Sequence, residues 1–443
     1  MANPLLESAV EAIELDAFAK DIADAVMFSK TLYAGMKKNA TTIPVSYATA
    51  AGGVTRPSFR APLRVQAGAA VIQATGNADS MYRGSGSQWA SFAVSPVFFL
   101  SVCEISFLSR IATEGRKRGL FNVQAQELKN TLQQAEQGLE ALLQGDGSGY
   151  LDQIPTIGAT VNNGTGGAGP SFSSITGLNN AFQFTDQQVI QVFPSIGGVA
   201  RGSFTISYVD AVAQTIYSSV ALPAGTTTGD YLIVSGASGA AGGSVLGLRA
   251  WQINSNTGTI GGLNRASYPG RLSTPTINLA GASISKSTPA RAEALMLRAL
   301  GEDNPAIDKG TWYCNVDQGI QINNLFLNIL SARTENSVGK EGWDVATRRW
   351  PTVFGSYPLL VGLNALPGRL DLFTWGTWYI GELLPLELYD FGGGQTVAPV
   401  PDIGTTGGSY LLSSMFAYVA SLNLVNGLPR AGCYVQQAAQ PTI

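Results

Sequence analysis

The sequence predicts an α+β fold that carries an all-β insertion, and three parts of the chain support this prediction. Residues 58–75 and 88–103 are long apolar runs on either side of the turn-rich sequence GNADSMYRGSGS, so they predict an extended β-hairpin. Residues 105–143 have an apolar stripe of helical period. Residues 160–290 contain short β-type runs between Gly, Thr and Asn turns, which is typical of a β-sandwich or barrel-like module.

The N-terminal part of the chain consists of two blocks of opposite charge. Residues 5–34 predict an amphipathic helix, because apolar residues recur at spacings near three and four. Residues 1–29 contain six acidic residues and one lysine, a net charge of −5, whereas residues 30–103 contain seven basic residues and one aspartate, a net charge of +6. Neighbouring blocks of opposite sign favour a contact within one chain or between copies.

The predicted hairpin at 58–103 needs support from another surface. A two-stranded hairpin of this length is not stable by itself. The sequence shows no neighbouring strand that would cover it, so we expect a chain that is completed by other copies.

The predicted helix at 105–143 changes character along its length. Gly115 and Gly119 flank a basic cluster and predict a kink or a break there. The helix is predicted to end at Gly145–Gly149, where glycines supply the left-handed geometry of a C-terminal cap. Because these glycines follow the helix and have no lysine nearby, they do not match a phosphate-binding loop.

The C-terminal half is predicted to mix helices and strands. A helix at 288–300 begins with a Thr-Pro pair, which matches the preferences of the N-cap and the first turn. A strand at 311–316 precedes a helix near 317–331, and residues 370–436 are β-rich again.

The composition excludes several classes of chemistry. The 443 residues include no histidine, so the chain has no Ser-His-Asp or Cys-His nucleophile and no His-ligated zinc. Charged residues make up 13% and the net charge is −3, which argues against a dedicated nucleic-acid reader but leaves weak local contacts open. Cys103, Cys314 and Cys433 are far apart and predict free buried thiols in a reducing compartment. The N-terminus lacks the pattern of a signal peptide, and the apolar stretches are too short or too polar to span a bilayer.

No group of residues points to catalysis, a metal or another cofactor, so we expect a protein that is not an enzyme. Glu382 and Glu387 are five residues apart on a predicted strand and face opposite sides, which excludes a glycosidase pair. We interpret them as solvated or interface carboxylates. The densest basic patch predicts a solvated helix face, a weak contact to nucleic-acid phosphates or an intersubunit contact. It consists of Arg110, Arg116, Lys117 and Arg118.

Two stretches and the order of the segments carry a resemblance to a known family. The order is an arm, an extended hairpin, a long helix ending in a glycine turn, a mixed domain and returning long strands. The stretches are GLEALLQGDGSGYLDQI at 138–154 and SSMFAYVASLNLVNGLPRAGCYV at 413–435. The first resembles the end of the spine helix of the Hong Kong 97-type major capsid proteins of tailed bacteriophages, and the second resembles the last strands of their peripheral domain.

This resemblance implies a Hong Kong 97-like capsid fold with five segments. They are an N-terminal arm at 1–50, an extended loop formed by a long β-hairpin at 51–103, the spine helix of the peripheral domain at 104–150, an axial domain at 151–375 with a β-rich insertion at about 178–285, and return strands of the peripheral domain at 376–443. We hypothesise that the acidic arm meets the basic segment of another subunit. The residues assigned to this contact are Glu7, Glu11, Glu14, Arg56, Arg60, Arg64 and Arg83.

The function implied is that of a major capsid protein that assembles itself through pentamers and hexamers into an icosahedral head around double-stranded DNA. Its partners would be other copies of itself, scaffold and portal proteins, a decoration protein where one is present, and packaged DNA, which the basic patch at 110–118 would contact without sequence specificity. It would have no cofactor and no membrane partner. Its location would be the virion, after assembly in the host cytoplasm.

The chain departs from the founding member of this family in two respects. It has no lysine between Lys38 and Lys117, so the covalent cross-link of the extended loop is not available. We expect a shell that dissociates in denaturant without covalent rings. The arm is short, and we therefore expect a separate scaffold protein and no maturation cleavage of this chain.

Other classes of protein fit the sequence less well than a capsid protein. The nearest alternative is an encapsulin-type bacterial nanocompartment shell protein of the same fold, against which the length and the β insertion count. The Gly-rich strands would also suit an outer-membrane porin or a secreted adhesin. The lack of a signal-peptide pattern and the long predicted helix argue against both classes. An enzyme would rest only on unassigned carboxylates. The absence of histidine also predicts particles without a sharp transition between pH 5 and 8.

Overall fold

The structure is a computed structural model, and it describes most of the chain. The described residues are 31–49, 55–66, 87–106, 123–162, 171–240, 242–268, 270–285, 287–300, 309–322, 349–351, 356–391, 396–401 and 410–436. The chain divides into two compact units. The first unit is formed by Met1–Ser29, Phe98–Leu139 and Leu383–Leu422, and the second by Lys30–Val97, Glu140–Glu382 and Asn423–Ile443.

The described residues form helices and many short strands. The helices are α1 (Thr31–Asn39), α2 (Val123–Gln144), α3 (Leu248–Trp251) and α4 (Ser287–Leu300), and residues 316–322 are also helical. The strands are β1 (Thr41–Ile43), β2 (Val45–Thr49), β3 (Thr55–Gln66), β4 (Gln88–Val94), β5 (Val97–Ser106), β6 (Tyr150–Gln153), β7 (Thr156–Asn162), β8 (Ser171–Thr176), β9 (Val189–Phe193), β10 (Gly202–Thr205), β11 (Tyr208–Asp210), β12 (Thr215–Ser218), β13 (Tyr231–Val234), β14 (Thr259–Ile260), β15 (Leu263–Asn264), β16 (Thr276–Asn278), β17 (Gly310–Cys314), β18 (Arg349–Pro351), β19 (Ser356–Val361), β20 (Leu370–Thr374), β21 (Trp378–Leu388), β22 (Ala398–Pro401), β23 (Tyr410–Asn426) and β24 (Cys433–Gln436).

Long strands from the C-terminal part of the chain form much of one sheet. A five-stranded sheet has the order β1-β21-β23-β22, with β5 also paired to β23. Strand β22 runs antiparallel to β23, with Ala398 opposite Met415. The prediction of a β-rich C-terminal region at 370–436 is therefore confirmed.

A six-stranded sheet in the second unit supports helix α4. Its strand order is β16-β24-β20-β17-β19-β18, and β17 pairs antiparallel with β20 and parallel with β19. Ala292 and Met296 are four residues apart on one face of α4, and both are buried in a core with Trp312 and Leu370. Burying a side chain the size of Met296 stabilises the fold by about 1.5–3 kcal/mol. The predicted helix at 288–300 is confirmed.

The charge-poor region of the second unit folds into two four-stranded sheets. Their strand orders are β10-β9-β13-β6 and β11-β12-β8-β7. Ile190 and Leu232 of the first sheet share a core with Ile175 and Ile216 of the second. The predicted β-type runs are confirmed for the strands between Tyr150 and Val234, but the all-β prediction for residues 160–290 was wrong at α3 (Leu248–Trp251), which is helical.

The predicted hairpin is part of a three-stranded sheet, β2-β3-β4, in the second unit. Strand β3 pairs with β4, as predicted, but β2 covers its other edge, with Val45 opposite Phe59. The expectation that no neighbouring strand exists was therefore wrong. The ring of Phe59 packs so closely on Gly381 that a Cβ there would lie 2.2 Å from it. Residues 67–86 lie outside the described residues.

Two predicted boundaries need correction. The predicted strand at 88–103 is two strands, β4 and β5, separated at Ser95-Pro96, because proline cannot donate a ladder hydrogen bond. The predicted helix at 105–143 is confirmed for α2 but wrong at residues 105–106, which end β5. Residues 107–122 lie outside the described residues, as do residues 5–30 of the predicted N-terminal helix, while 31–34 are helical.

The predicted end of α2 is confirmed. The helix ends at Gln144, and Gly147 and Gly149 that follow have φ values of +89° and +80°. A side chain at Gly149 would also collide with Ala237, since a Cβ there would lie 2.5 Å from the Ala237 methyl group. Glycine is therefore required for both the backbone conformation and the packing.

Candidate functional site

Most residues that the sequence assigned to subunit or DNA contacts lie outside the described residues. These are Glu7, Glu11, Glu14, Arg83, Arg110, Arg116, Lys117 and Arg118. The remaining three arginines lie on β3, where Arg56 pairs with Ala48, Arg60 with Ala93 and Arg64 with Trp89. The side chain of Arg60 is exposed, as a contact to another copy requires.

The three-stranded sheet has one buried and one exposed face. Phe59, Ala61 and Leu63 alternate along β3 and are buried, because successive side chains of a strand point to opposite faces. The other face carries Arg60 and, on β4, Trp89, whose side chain is 63% exposed. This face therefore leaves a large aromatic side chain in contact with water.

Strand β5 of the first unit presents a second exposed apolar surface. Phe98, Leu100 and Val102 alternate along the strand and are 67%, 59% and 54% exposed. The opposite face is covered, since the Phe99 ring lies against Gly138 of α2 and Ile105 is buried. We call Phe98, Leu100 and Val102 the β5 row. Three large apolar side chains in a row on one strand face are typical of an interaction surface.

A buried carboxylate fixes the beginning of helix α1. Glu140 is completely buried, and its Oε1 and Oε2 accept hydrogen bonds from the backbone N–H groups of Leu32 at 2.8 Å and Tyr33 at 2.6 Å. These are first-turn donors of α1 that have no partner within the helix. A negative charge at this end is also stabilised by the helix dipole. Glu140 thus acts as an N-terminal cap supplied by a distant part of the chain.

The surroundings of Glu140 change its protonation. The Tyr313 hydroxyl donates to Oε1 at 3.4 Å and in turn accepts from Gln144 Nε2 at 2.6 Å. Burial raises the pKa of Glu140 to about 7, although these hydrogen bonds favour the charged form. The pKa of the Tyr313 hydroxyl is raised well above its usual range by burial and by the nearby Glu140 and Asp371 charges. The chain therefore has a carboxyl group that titrates near neutral pH.

The carboxylate pair considered at 382 and 387 has an ordinary structural explanation. Glu382 Oε1 lies 2.5 Å from Lys37 Nζ in a salt bridge of the second unit. Glu387 is exposed. Within the described ranges, no group of three or more Cys, Asp or Glu side chains is arranged to hold a metal ion. The described helices also include none that is long and apolar enough to cross a membrane.

Sequence reasoning missed the β5 row and the role of Glu140. The continuous apolar run VFFLSVC predicts a strand that is buried on both faces. Only the structure shows that one of its faces is exposed. Glu140 lies off the apolar stripe of α2, so it reads as a solvated residue. The predicted free, buried thiols are confirmed for Cys314 and Cys433, whereas Cys103 is only half-buried.

The fold of this chain is similar to those of solved phage capsid chains. The capsid chain of cyanophage A-1(L) aligns with 95% of this chain over 96% of its own length, with 11% sequence identity and a TM-score of 0.50. The capsid of a native GTA particle aligns with 95% of this chain and 94% of its own (10% identity, TM-score 0.42), and that of Myoviridae phage XM1 with 96% and 97% (10% identity, TM-score 0.41). No family model and no curated protein matches the sequence. The predicted resemblance to phage capsid proteins is confirmed for the fold.

Proposed function

We propose that this protein is the major capsid protein of a tailed bacteriophage, which assembles through pentamers and hexamers into an icosahedral head that encloses double-stranded DNA. The observation that carries the proposal is the fold, which nearly the whole chain shares with the capsid chain of cyanophage A-1(L). The role is structural, and the proposal includes neither a catalytic activity nor a cofactor.

The exposed surfaces of the chain support self-assembly. Trp89 and the β5 row are apolar groups that a single copy leaves in water. When other copies cover these groups, apolar area is removed from water, and each Å² buried stabilises the assembly by about 25 cal/mol. Shell subunits use such contacts repeatedly, so stability comes from extensive interfaces rather than from one site. Scaffold, portal and decoration proteins and packaged DNA would be the other partners, and the virion the final location.

The encapsulin-type nanocompartment is the alternative with the same fold. The solved structures that resemble this chain include capsids of phages and of a GTA particle, and this does not favour the alternative. The contents of purified particles decide between the two, because a phage head encloses nucleic acid and a nanocompartment encloses a protein cargo.

Negative-stain electron microscopy of the purified full-length chain tests the proposal. We expect closed shells or rings of five and six subunits. A protein that stays monomeric at high concentration, with and without a co-expressed scaffold protein, would contradict it. Denaturing electrophoresis of the particles should show single chains, because no lysine between Lys38 and Lys117 is available for a covalent cross-link in the extended loop.

A further inference from the structure

Arginine side chains line two adjoining cavities beside helix α4 in the second unit. The larger cavity, of about 570 Å³, is lined by Arg298 and Arg430 together with Asn254, Asn256 and Ser273. The smaller cavity, of about 490 Å³, is lined by Arg291 and Arg298. Arg298 therefore borders both cavities, and we call the pair the α4 arginine cavities.

These arginines have no acidic partner among the described residues. Arg201, Arg369 and Lys37 each form a salt bridge with a carboxylate of the second unit. Arg291 and Arg298 form none with the described part of the chain, and both are exposed. Arg430 Nη2 donates to the carbonyl oxygen of Ala299 at 3.4 Å, near the C-terminal end of α4. Burial and the positive charge of Arg271 lower the pKa of Arg430, so a nearby anion would stabilise its charged form.

The two asparagine side chains of the larger cavity also offer hydrogen-bond donors to a ligand. The Asn254 side-chain oxygen accepts from the Ser273 hydroxyl at 3.1 Å, and the Asn256 side-chain oxygen accepts from the Gly270 N–H at 3.2 Å. Both amide oxygens are thus occupied, whereas the two amide NH₂ groups have no hydrogen-bond acceptor among the described residues. Guanidinium and amide donors without acceptors form the environment that an oxyanion requires.

We propose that the α4 arginine cavities bind backbone phosphates of double-stranded DNA. Arg298 and Arg430 would hold one phosphate and Arg291 a second, each through the N–H fork that matches phosphate oxygens. Arg291 and Arg298 are seven residues apart, a rise of about 10 Å along the helix. A DNA strand presents phosphates about every 3.4 Å along its axis, so one duplex reaches both cavities. The inference rests on the proposed capsid function, which brings DNA to the protein.

Binding of a short fluorescein-labelled DNA duplex to the full-length chain tests this assignment. Fluorescence anisotropy is measured between about 0.05 and 0.2 M salt, because each phosphate contact contributes about 0.9 to the slope of log affinity against log salt. The Arg298→Gln/Arg430→Gln variant should lower this slope by about 1 to 2 and weaken binding roughly eightfold per lost contact at 0.1 M salt. Arg291→Gln/Arg298→Gln changes only exposed side chains and should act in the same direction.

The matched control is Lys38→Gln/Lys129→Gln, which removes two exposed positive charges elsewhere and should leave the slope nearly unchanged. Wild-type slopes in both cavity variants, with unchanged thermal unfolding, would overturn the assignment. Polyglutamate is used as a second ligand that represents an acidic protein segment. If the cavity variants lose binding to polyglutamate but still bind DNA like the wild type, the cavities hold an acidic segment and the assignment to DNA is overturned. Failure of the capsid proposal shows separately, as an absence of shells in electron micrographs of the wild type.

Discussion

Replacing Glu140 with glutamine should remove a large part of the pH dependence of stability. The folded chain raises the pKa of Glu140 to about 7 from an ordinary value of 4.5. A folded state that binds the proton more tightly than the unfolded state loses stability as the pH rises. The contribution is complete below pH 4.5 and is lost as the pH passes through about 7. At 1.36 kcal/mol for each tenfold change in proton affinity, the loss amounts to about 3 kcal/mol.

The assay is urea unfolding of the unassembled full-length chain over a series of pH values from below 4.5 to above 7. The free energy of unfolding of the wild type, minus that of Glu140→Gln, should fall by about 3 kcal/mol across this series. Subtraction removes the titration of all other groups, which both proteins share. Glu387→Gln, which removes an exposed carboxylate elsewhere, serves as the control, and an equal fall for this variant would show that the effect is not specific to Glu140.

A flat difference for Glu140→Gln would refute this reasoning, since it would mean that Glu140 titrates alike in the folded and unfolded chains. Glutamine keeps the size of the side chain but offers one acceptor oxygen where the carboxylate offers two. One of the two N–H groups, of Leu32 or Tyr33, then loses its partner. The variant should therefore also show faster amide hydrogen exchange in the first turn of α1, at every pH.

Three further predictions concern the exposed surface and the thiols. Arg60→Glu should prevent shell formation at concentrations at which the wild type assembles, as followed by light scattering, with unchanged urea unfolding of the monomer. Leu100→Ser in the β5 row should change the free energy of unfolding by less than about 0.5 kcal/mol, because the side chain is exposed, yet weaken assembly; a large destabilisation would show that the row is covered within the chain. A thiol reagent should react with Cys103 first in the native chain and with all three cysteines after unfolding, since burial raises the pKa of Cys433 to about 12 and also raises that of Cys314.

The sequence correctly predicted those elements that are marked by patterns of a few neighbouring residues. The end of α2 at Gln144 followed from a helical stripe that stops at a glycine turn, and α4 from its Thr-Pro start. The pairing of β2 with β3 could not be predicted in this way. Strand β2 is five residues long and carries no pattern that names its partner, so its position depends on packing of the completed fold.

Glu140 shows the same limit for a candidate site. Its position on the polar side of α2 predicts contact with water, but the N-terminal end of α1, from more than 100 residues earlier in the chain, covers it. The periodicity of a helix cannot predict that a distant segment will bury one of its polar residues. The absence of histidine removes the usual titrating side chain between pH 5 and 8, but it gives no sign that burial raises the pKa of Glu140 to about 7. That assembled particles show no sharp transition in this range stays a prediction.

The distribution of charge within the second unit also changes what the net charge implies. A net charge of −3 argues against DNA binding only if acidic and basic side chains are equally accessible. In the described residues, Glu140 is buried and Asp230 and Asp371 are buried against arginines, so these acids contribute little field at the surface. Arg291 and Arg298 remain exposed beside the α4 arginine cavities. Affinity for a phosphate depends on this local excess of accessible positive charge, and a mildly acidic chain can therefore hold DNA non-specifically.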